Sequence, residues 1–199
     1  MSSAWISLDE NDNDLRSFLS YFISAISSLF PERLVESQTL LQAADFPSQR
    51  YLGSILINEL NTIGEDYVLV LDDYHLIQEM AIHDMLEELL RYPPQGLHLV
   101  IGTRTDPMLS LVDLRARRQV AEIRGQDLRF SPVETKQLLH NLLGEEVEEQ
   151  TALTLEEKSE GWVTGLRLAA LALRHRKGQM DIEGEFPLTE YFEIQLLWR

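Results

Sequence analysis

The sequence predicts an α/β fold in which a parallel sheet is followed by a small helical domain. Two continuous apolar runs, 67–71 and 97–101, have the length of strands and lack the alternation of a half-exposed sheet. Such runs are typical of strands buried on both faces of a parallel sheet. An apolar helical pattern between 82 and 90 separates them. A strand, a helix and a strand at this spacing indicate a βαβ unit.

The N-terminal third is predicted to hold one more strand and two helices. Residues 4–8 have strand propensity and are followed by an acidic run. Apolar residues then recur every three or four positions from Leu15 to Phe30, which predicts one buried helix face that Pro31 ends. Residues 32–49 are predicted to be a loop with a short helix, and 52–60 a second helix.

Helical patterns dominate after the second apolar run. Residues 109–118 predict a helix, and 120–123 a short strand. The strongest helix start is Ser131-Pro132-Val133-Glu134, because a serine cap, a first-turn proline and a glutamate three residues after the cap form a capping box. Three further helices are predicted at about 146–158, 161–177 and 188–198. Trp162, at helical spacing from Leu166 and Ala169, is predicted to lie in the core.

The predicted organisation is an α/β core at 1–130, the start of a helical subdomain at 131–177 and a poorly assigned tail at 178–199 that contains the last predicted helix. The strand pattern begins almost at the first residue. We therefore expect the chain to be a piece of a longer protein.

Composition excludes several classes of protein. The chain has 199 residues, no cysteine and a formal net charge of −16. There is no disulfide framework or thiolate metal site. The acidic surface repels phosphates, so direct binding to nucleic acid is not expected. No apolar run reaches about 18 residues, and the N-terminus lacks a secretory signal. We expect a cytoplasmic protein without membrane contact.

Two acids follow the first buried run, and this is the most informative motif. A buried strand ending in Asp72-Asp73 matches the Walker B pattern of nucleotide-hydrolysing proteins. Carboxyl ends of parallel strands open onto the crevice where ligands bind, and a carboxylate there can hold Mg²⁺. Asp72 is the candidate metal ligand, and Asp73 is the candidate acid that orients the attacking water. The alternative is that both acids lie before a helix N-terminus, where acids are favoured in any case.

Thr103-Arg104 follows the second buried run. P-loop ATPases commonly place a polar or cationic side chain at this position, near the γ-phosphate. Arg104 is therefore the candidate nucleotide-contacting residue, since a guanidinium binds phosphate oxygens through paired hydrogen bonds. The alternative is a surface arginine at a strand end.

Five ordered stretches carry a resemblance to one family. The sequence Leu-Asp-Asp-Tyr-His at 71–75 resembles the maltose-regulon activator family, a branch of the STAND P-loop ATPases among LuxR-type transcriptional regulators. The other matching stretches are 4–14, 98–107, 114–130 and 160–170. The resemblance covers about residues 4–176.

The resemblance implies a P-loop NTPase-like sheet that binds ATP and Mg²⁺. It implies a signalling switch in which ATP and an inducer favour an oligomeric state that activates transcription, and hydrolysis resets it. In this family a Walker A loop, G-x-x-x-x-G-K-[ST], cradles the phosphates. The chain contains no such sequence. We therefore expect an incomplete sheet and no ATP binding by this chain alone.

Two other functions are considered beside the regulatory ATPase fragment. The chain can be a non-enzymatic interaction module derived from that domain, which associates with itself or with full-length relatives. It can also be a metal-dependent hydrolase built on Asp72 and Asp73, although none of the five histidines has metal-ligand spacing.

Overall fold

A computed structural model of the protein describes residues 1–178. These residues divide into two compact units, of which the first is Met1–Val120 and the second begins at Ala121. The division falls before the boundary that the sequence predicts near residue 130. The helix predicted at 188–198 lies outside the described residues.

The first unit is built on a three-stranded parallel sheet, as predicted. Its strands are β1 (Ser2–Ser7), β2 (Tyr67–Asp72) and β3 (Leu97–Ile101). Their order in the sheet is β1-β2-β3, and both pairings are parallel. All three carboxyl ends therefore lie at the same edge of the sheet.

Helices form a layer on one face of this sheet. They are α1 (Leu15–Leu29), α2 (Val35–Gln42), α3 (Gln49–Asn61) and α4 (Met80–Arg91), and the shorter α5 (Leu111–Ala116) follows β3. One core joins β1 and β2 to α1, α3 and α4, and its members include Leu69, Leu71, Phe18, Phe22, Leu56 and Leu86. Each such side chain contributes roughly 1.5–3 kcal/mol by leaving water.

The opposite face of the sheet carries exposed apolar side chains. Trp5, Val70 and Val100 are in register across the three strands. Trp5 is 62% exposed and Val100 is 47% exposed. Side chains alternate between the two faces of a strand. The next residue in each strand, Ile6, Leu71 and Ile101, therefore points toward the helices.

The second unit contains α6 (Pro132–Leu143), α7 (Glu149–Ser159) and α8 (Val163–Gly178), which confirms the helices predicted there. The predicted capping box is present, with Ser131 accepting from the Glu134 amide and the Glu134 carboxylate accepting from the Ser131 amide. Its core is built from Leu139, Val147, Ala152, Leu155, Leu166, Ala169 and Ala170.

Two predictions for this part of the chain are wrong. Residues 120–123 form no strand. The side chain of Ile123 is 76% exposed, so it is not buried as an apolar strand residue in a sheet would be. Trp162, expected in the core from its spacing to Leu166 and Ala169, is 42% exposed. It precedes α8 and lies against Gly125 instead.

Within residues 1–178, no helix combines the length and the apolar character needed to cross a membrane.

Candidate functional site

Asp72 is the last residue of the central strand. It pairs with Ser7 on β1, and its carbonyl accepts a hydrogen bond of 3.1 Å from the Leu8 amide. In β2 the buried residues alternate with half-buried ones, and Asp72 belongs to the half-buried set with Val70. The strand pattern therefore places the Asp72 carboxylate on the open face of the sheet, at its carboxyl edge.

Asp73 has a left-handed backbone, with φ 55° and ψ 31°. This conformation is uncommon for residues other than glycine, although aspartate adopts it more readily than most. Its amide donates to Oδ1 of Asp72 at 3.0 Å. The carboxylate of Asp73 is 47% exposed, so it faces solvent beside Asp72.

Gly102 lies against Asp72 immediately after β3. A Cβ atom at Gly102 would be 2.6 Å from Oδ1 of Asp72. The Gly102 amide donates to the Leu71 carbonyl at 2.8 Å, and its carbonyl accepts from the Tyr74 amide at 3.0 Å. Because Gly102 has no side chain, its backbone can approach closely and form hydrogen bonds with Leu71 and Tyr74, the residues on either side of the acid pair.

A one-turn 3-10 helix, Tyr74–Leu76, follows the two acids. His75 lies on this turn, and its Nδ1 is 3.9 Å from Oδ1 of Asp73. This distance is too long for a hydrogen bond. The sequence favours His75 as a turn residue over a metal ligand, and the structure places it in the turn.

The Tyr74 hydroxyl and Nδ1 of His83 share a buried hydrogen bond of 2.6 Å. Burial raises the pKa of Tyr74, and the nearby Glu87 raises it further. Burial also lowers the pKa of His83, against the opposing effect of Asp84. The pair is therefore neutral near pH 7 and joins the turn after Asp73 to α4.

Arg104 is exposed, three residues beyond the end of β3. Because β2 and β3 are adjacent and parallel, Arg104 and Asp72 follow strand ends at the same edge of the sheet. The structure shows this shared edge; the roles of Asp72, Asp73 and Arg104 stay predictions.

The donor set fits a magnesium ion better than it fits the phosphates of a nucleotide. Carboxylate oxygens such as those of Asp72 are the hard ligands that Mg²⁺ prefers, with water filling the other positions. Among residues 1–178, no three histidine or carboxylate side chains converge as a complete metal site. Two carboxylates and one arginine supply little attraction for a polyphosphate anion, and the sequence has no phosphate-cradling motif.

A polar cleft lies away from the acid pair, between the start of α3 and α4. It is lined by Ser48, Gln49, Arg50, Asp84, Glu87, Glu88, Arg91 and Tyr92. None of Asp72, Asp73 or Arg104 borders it. Its mixed charges are those of a solvated helix surface.

The sequence does not predict the roles of Asn13, Gly102 and His83 around the acid pair. Asn13 and Gly102 lie in two of the stretches that carry the family resemblance, and the resemblance is the only sequence signal for them. Gly102 acts through its contacts with Asp72 and Tyr74, and His83 acts through its contact with Tyr74. Each contact joins two different elements, and residue spacing within one strand or helix does not report it.

No family model matches the chain. The chain is similar to the HTH-type transcriptional regulator MalT of Serratia proteamaculans (strain 568), with 38% identity over 170 residues. The proteins of the same name from Yersinia pestis (strain Pestoides F) and Yersinia pseudotuberculosis serotype O:1b are also 38% identical over 170 residues. The match covers 85% of this chain and 19% of each of the three regulators. The chain thus spans about a fifth of the length of the curated relatives it matches.

Proposed function

We propose that this chain is a segment of the regulatory ATPase domain of a LuxR-type transcriptional activator. The observation that carries the proposal is an acid pair at the carboxyl end of a central parallel strand, within a chain that is 38% identical to transcriptional regulators. In open α/β sheets, ligands bind at this edge. The complete protein acts in the cytoplasm as a switch that ATP and an inducer turn on and that hydrolysis resets.

Each residue of the edge has a role in this proposal. Asp72 would hold Mg²⁺, and the ion would supply positive charge next to the phosphates. Asp73 accepts a hydrogen bond from the attacking water and orients it. Arg104 binds the γ-phosphate oxygens and thereby distinguishes ATP from ADP. The nucleotide would supply the phosphoryl group, and the ion would supply positive charge. The three residues would position both.

We further propose that the 199 residues do not bind ATP by themselves. A P-loop directs several backbone amides and a lysine at the phosphates. Hydrogen bonds to charged groups contribute about 1.5–3 kcal/mol each, so the loss of three costs roughly 4 kcal/mol or more, which is about a thousandfold in affinity. Arg104 cannot offset this loss. The net charge of −16 also opposes the approach of a polyanion.

Calorimetry with ATP and Mg²⁺ tests this proposal. The 199-residue chain is expected to show no binding at micromolar ATP. A hybrid regulator, in which this chain replaces the matched segment of the Serratia protein, is expected to bind and hydrolyse ATP. In the hybrid, Asp72→Ala should reduce hydrolysis more than binding. Micromolar binding by the 199 residues alone, or an inactive hybrid that is correctly folded, contradicts the proposal.

The second candidate is a non-enzymatic interaction module. The open sheet face with Trp5 and Val100 favours it, because exposed apolar patches commonly mark protein contacts. Its partners are further copies of this chain or longer relatives of the same domain. A folded hybrid without ATPase activity, together with association of the chain with a longer relative in solution, would favour this function over the first.

A further inference from the structure

Asn13 joins the loop after β1 to the loop after β2. Its side-chain Nδ2 donates to the Leu76 carbonyl at 2.8 Å. Its Oδ1 accepts from the amides of Gln78 at 2.6 Å and Glu79 at 3.2 Å. One half-buried amide side chain therefore makes three hydrogen bonds to a segment that is distant in sequence, and its Nδ2 also donates to the Glu10 carbonyl at 3.2 Å.

These three bonds hold the far end of the turn that contains Asp73. The Leu76 amide donates to the Asp73 carbonyl at 3.0 Å, and the Ile77 amide donates to the Tyr74 carbonyl at 3.1 Å. The near end of the same turn is fixed by Gly102, which accepts from the Tyr74 amide. With both ends held, the backbone of Asp73 is kept in its left-handed conformation directly after Asp72.

Asn13 is itself held in place from both sides. On one side, Asp9 and Asp12 close a capping box around a short 3-10 helix, with the Asp9 amide donating to Asp12 Oδ2 at 2.8 Å. On the other side, Asp14 caps α1 by accepting from the Ser17 amide at 2.9 Å. Because α1 packs in the core, Asn13 is held in position, and its hydrogen bonds hold the turn that it contacts.

We propose that Asn13 is a positioning residue for Asp73 in ATP hydrolysis. The inference rests on the proposed function, because Asp73 must act on the attacking water. An amide suits the position because it offers a donor for the Leu76 carbonyl and an acceptor for two backbone amides. An aspartate keeps only the acceptor and adds negative charge near Asp12, Asp14 and Glu79. The hydrogen bonds of Asn13 thus set the geometry of an acid that it does not touch.

Hydrogen exchange on the 199-residue chain gives the first test. Asn13→Ala is expected to speed exchange at the amides of Gln78 and Glu79 by roughly tenfold or more, from the loss of three hydrogen bonds. Asn13→Asp keeps the acceptor and should restore most of this protection. The matched control is Asn61→Ala, since Oδ1 of Asn61 accepts from the Gln95 amide at 3.0 Å at the opposite edge of the sheet. Equal exchange in the turn for the alanine variants at 13 and 61 overturns the proposal.

Steady-state ATPase kinetics of the hybrid regulator give the second test. Asn13→Ala should lower kcat about tenfold or more while the KM for ATP changes little, because small displacements of a catalytic group have large effects on rate. Asn61→Ala should keep the parent kcat, and Asn13→Asp should fall between the two. An active parent whose Asn13→Ala variant keeps its kcat overturns the positioning role alone. A folded but inactive parent overturns the proposed function, whatever the exchange data show.

Discussion

Oδ1 of Asp72 lies where a side chain at Gly102 would have to be, since a Cβ atom at residue 102 would approach it to 2.6 Å. The same oxygen accepts from the Asp73 amide. Gly102, directly after β3, therefore packs against Asp72, and the Asp72 carboxylate in turn holds the Asp73 amide. Substitution at a residue without any chemistry of its own is expected to disturb the acid pair.

The first prediction is that Gly102→Ala turns the Asp72 side chain and destabilises the chain. Overpacking of this kind costs roughly 1–3 kcal/mol. Urea unfolding measures the loss, and the ATPase rate of the hybrid should fall with it. Gly53→Ala in α3 is the matched control. Its Cβ would meet only the carboxylate end of the Glu88 side chain, with Oε2 at 3.2 Å and Cδ at 3.8 Å, and helix propensity favours alanine by about 0.5–1 kcal/mol. The prediction fails if Gly102→Ala unfolds at or above the parent's midpoint.

The second prediction concerns pH and His83. Burial lowers the pKa of His83 in the folded state, so the unfolded chain binds its proton more readily. The chain therefore keeps the full contribution of His83 to its stability above pH about 6.5, which is the pKa of histidine in the unfolded chain. It loses this contribution as the pH falls toward the lower pKa of His83 in the folded state. Between pH 7 and pH 5.5 the loss is at most about 1.4 kcal/mol.

Urea unfolding at these two pH values measures the contribution of His83. His83→Phe should reduce the difference between the two unfolding free energies, although it lowers stability at both. Tyr74→Phe keeps the buried imidazole and should keep the difference, because burial is the main cause of the shift. An unchanged pH dependence in the His83 variant would show that other groups account for the loss.

The third prediction is that the isolated chain associates through the open face of its sheet. Trp5 and Val100 are in register there with Val70. Replacing both Trp5 and Val100 with threonine keeps the strand propensity and removes apolar surface. Light scattering at high micromolar concentration should show association for the parent and less for this double variant. Tyr51→Ser, which removes an aromatic residue that is 50% exposed on α3, should have no effect. A parent that is a sharp monomer under these conditions contradicts the prediction.

The fourth prediction concerns the start of α6. Ser131→Ala removes the hydroxyl that accepts from the Glu134 amide and donates to the Glu134 carboxylate at 2.7 Å. The bond from the Ser131 backbone amide to the same carboxylate can remain. Loss of such a cap costs about 1 kcal/mol. Thermal or urea unfolding of the 199-residue chain checks the value. Thr154→Ala, in the middle of α7, provides the comparison, and its effect should be within about 0.5 kcal/mol of zero. Equal losses in the two variants would mean that the cap contributes nothing.

The helices and strands of the first unit were predictable because their signals are local. The apolar stripe between Leu15 and Phe30 predicts α1, and the structure buries Phe18 and Phe22 from it. The apolar runs at β2 and β3 predict parallel neighbours, which the sheet confirms. Their predicted burial on both faces is wrong, because one face of the sheet is open and Val100 on it is 47% exposed. The failure at 120–123 has the opposite cause. A strand needs a partner for its backbone groups, and strand propensity alone does not provide one.

The sequence by itself determined the elements, the placement of Asp72 and Asp73 at a strand end and the resemblance to a family of regulators. These depend on the order of residues within a single segment. Only the tertiary structure decided that Asn13 and Gly102 hold the two ends of the turn at Asp73, and which face of the sheet stays open. Such relationships arise from hydrogen bonds and close contacts between segments that are far apart along the chain. The periodicity of any one segment carries no information about them.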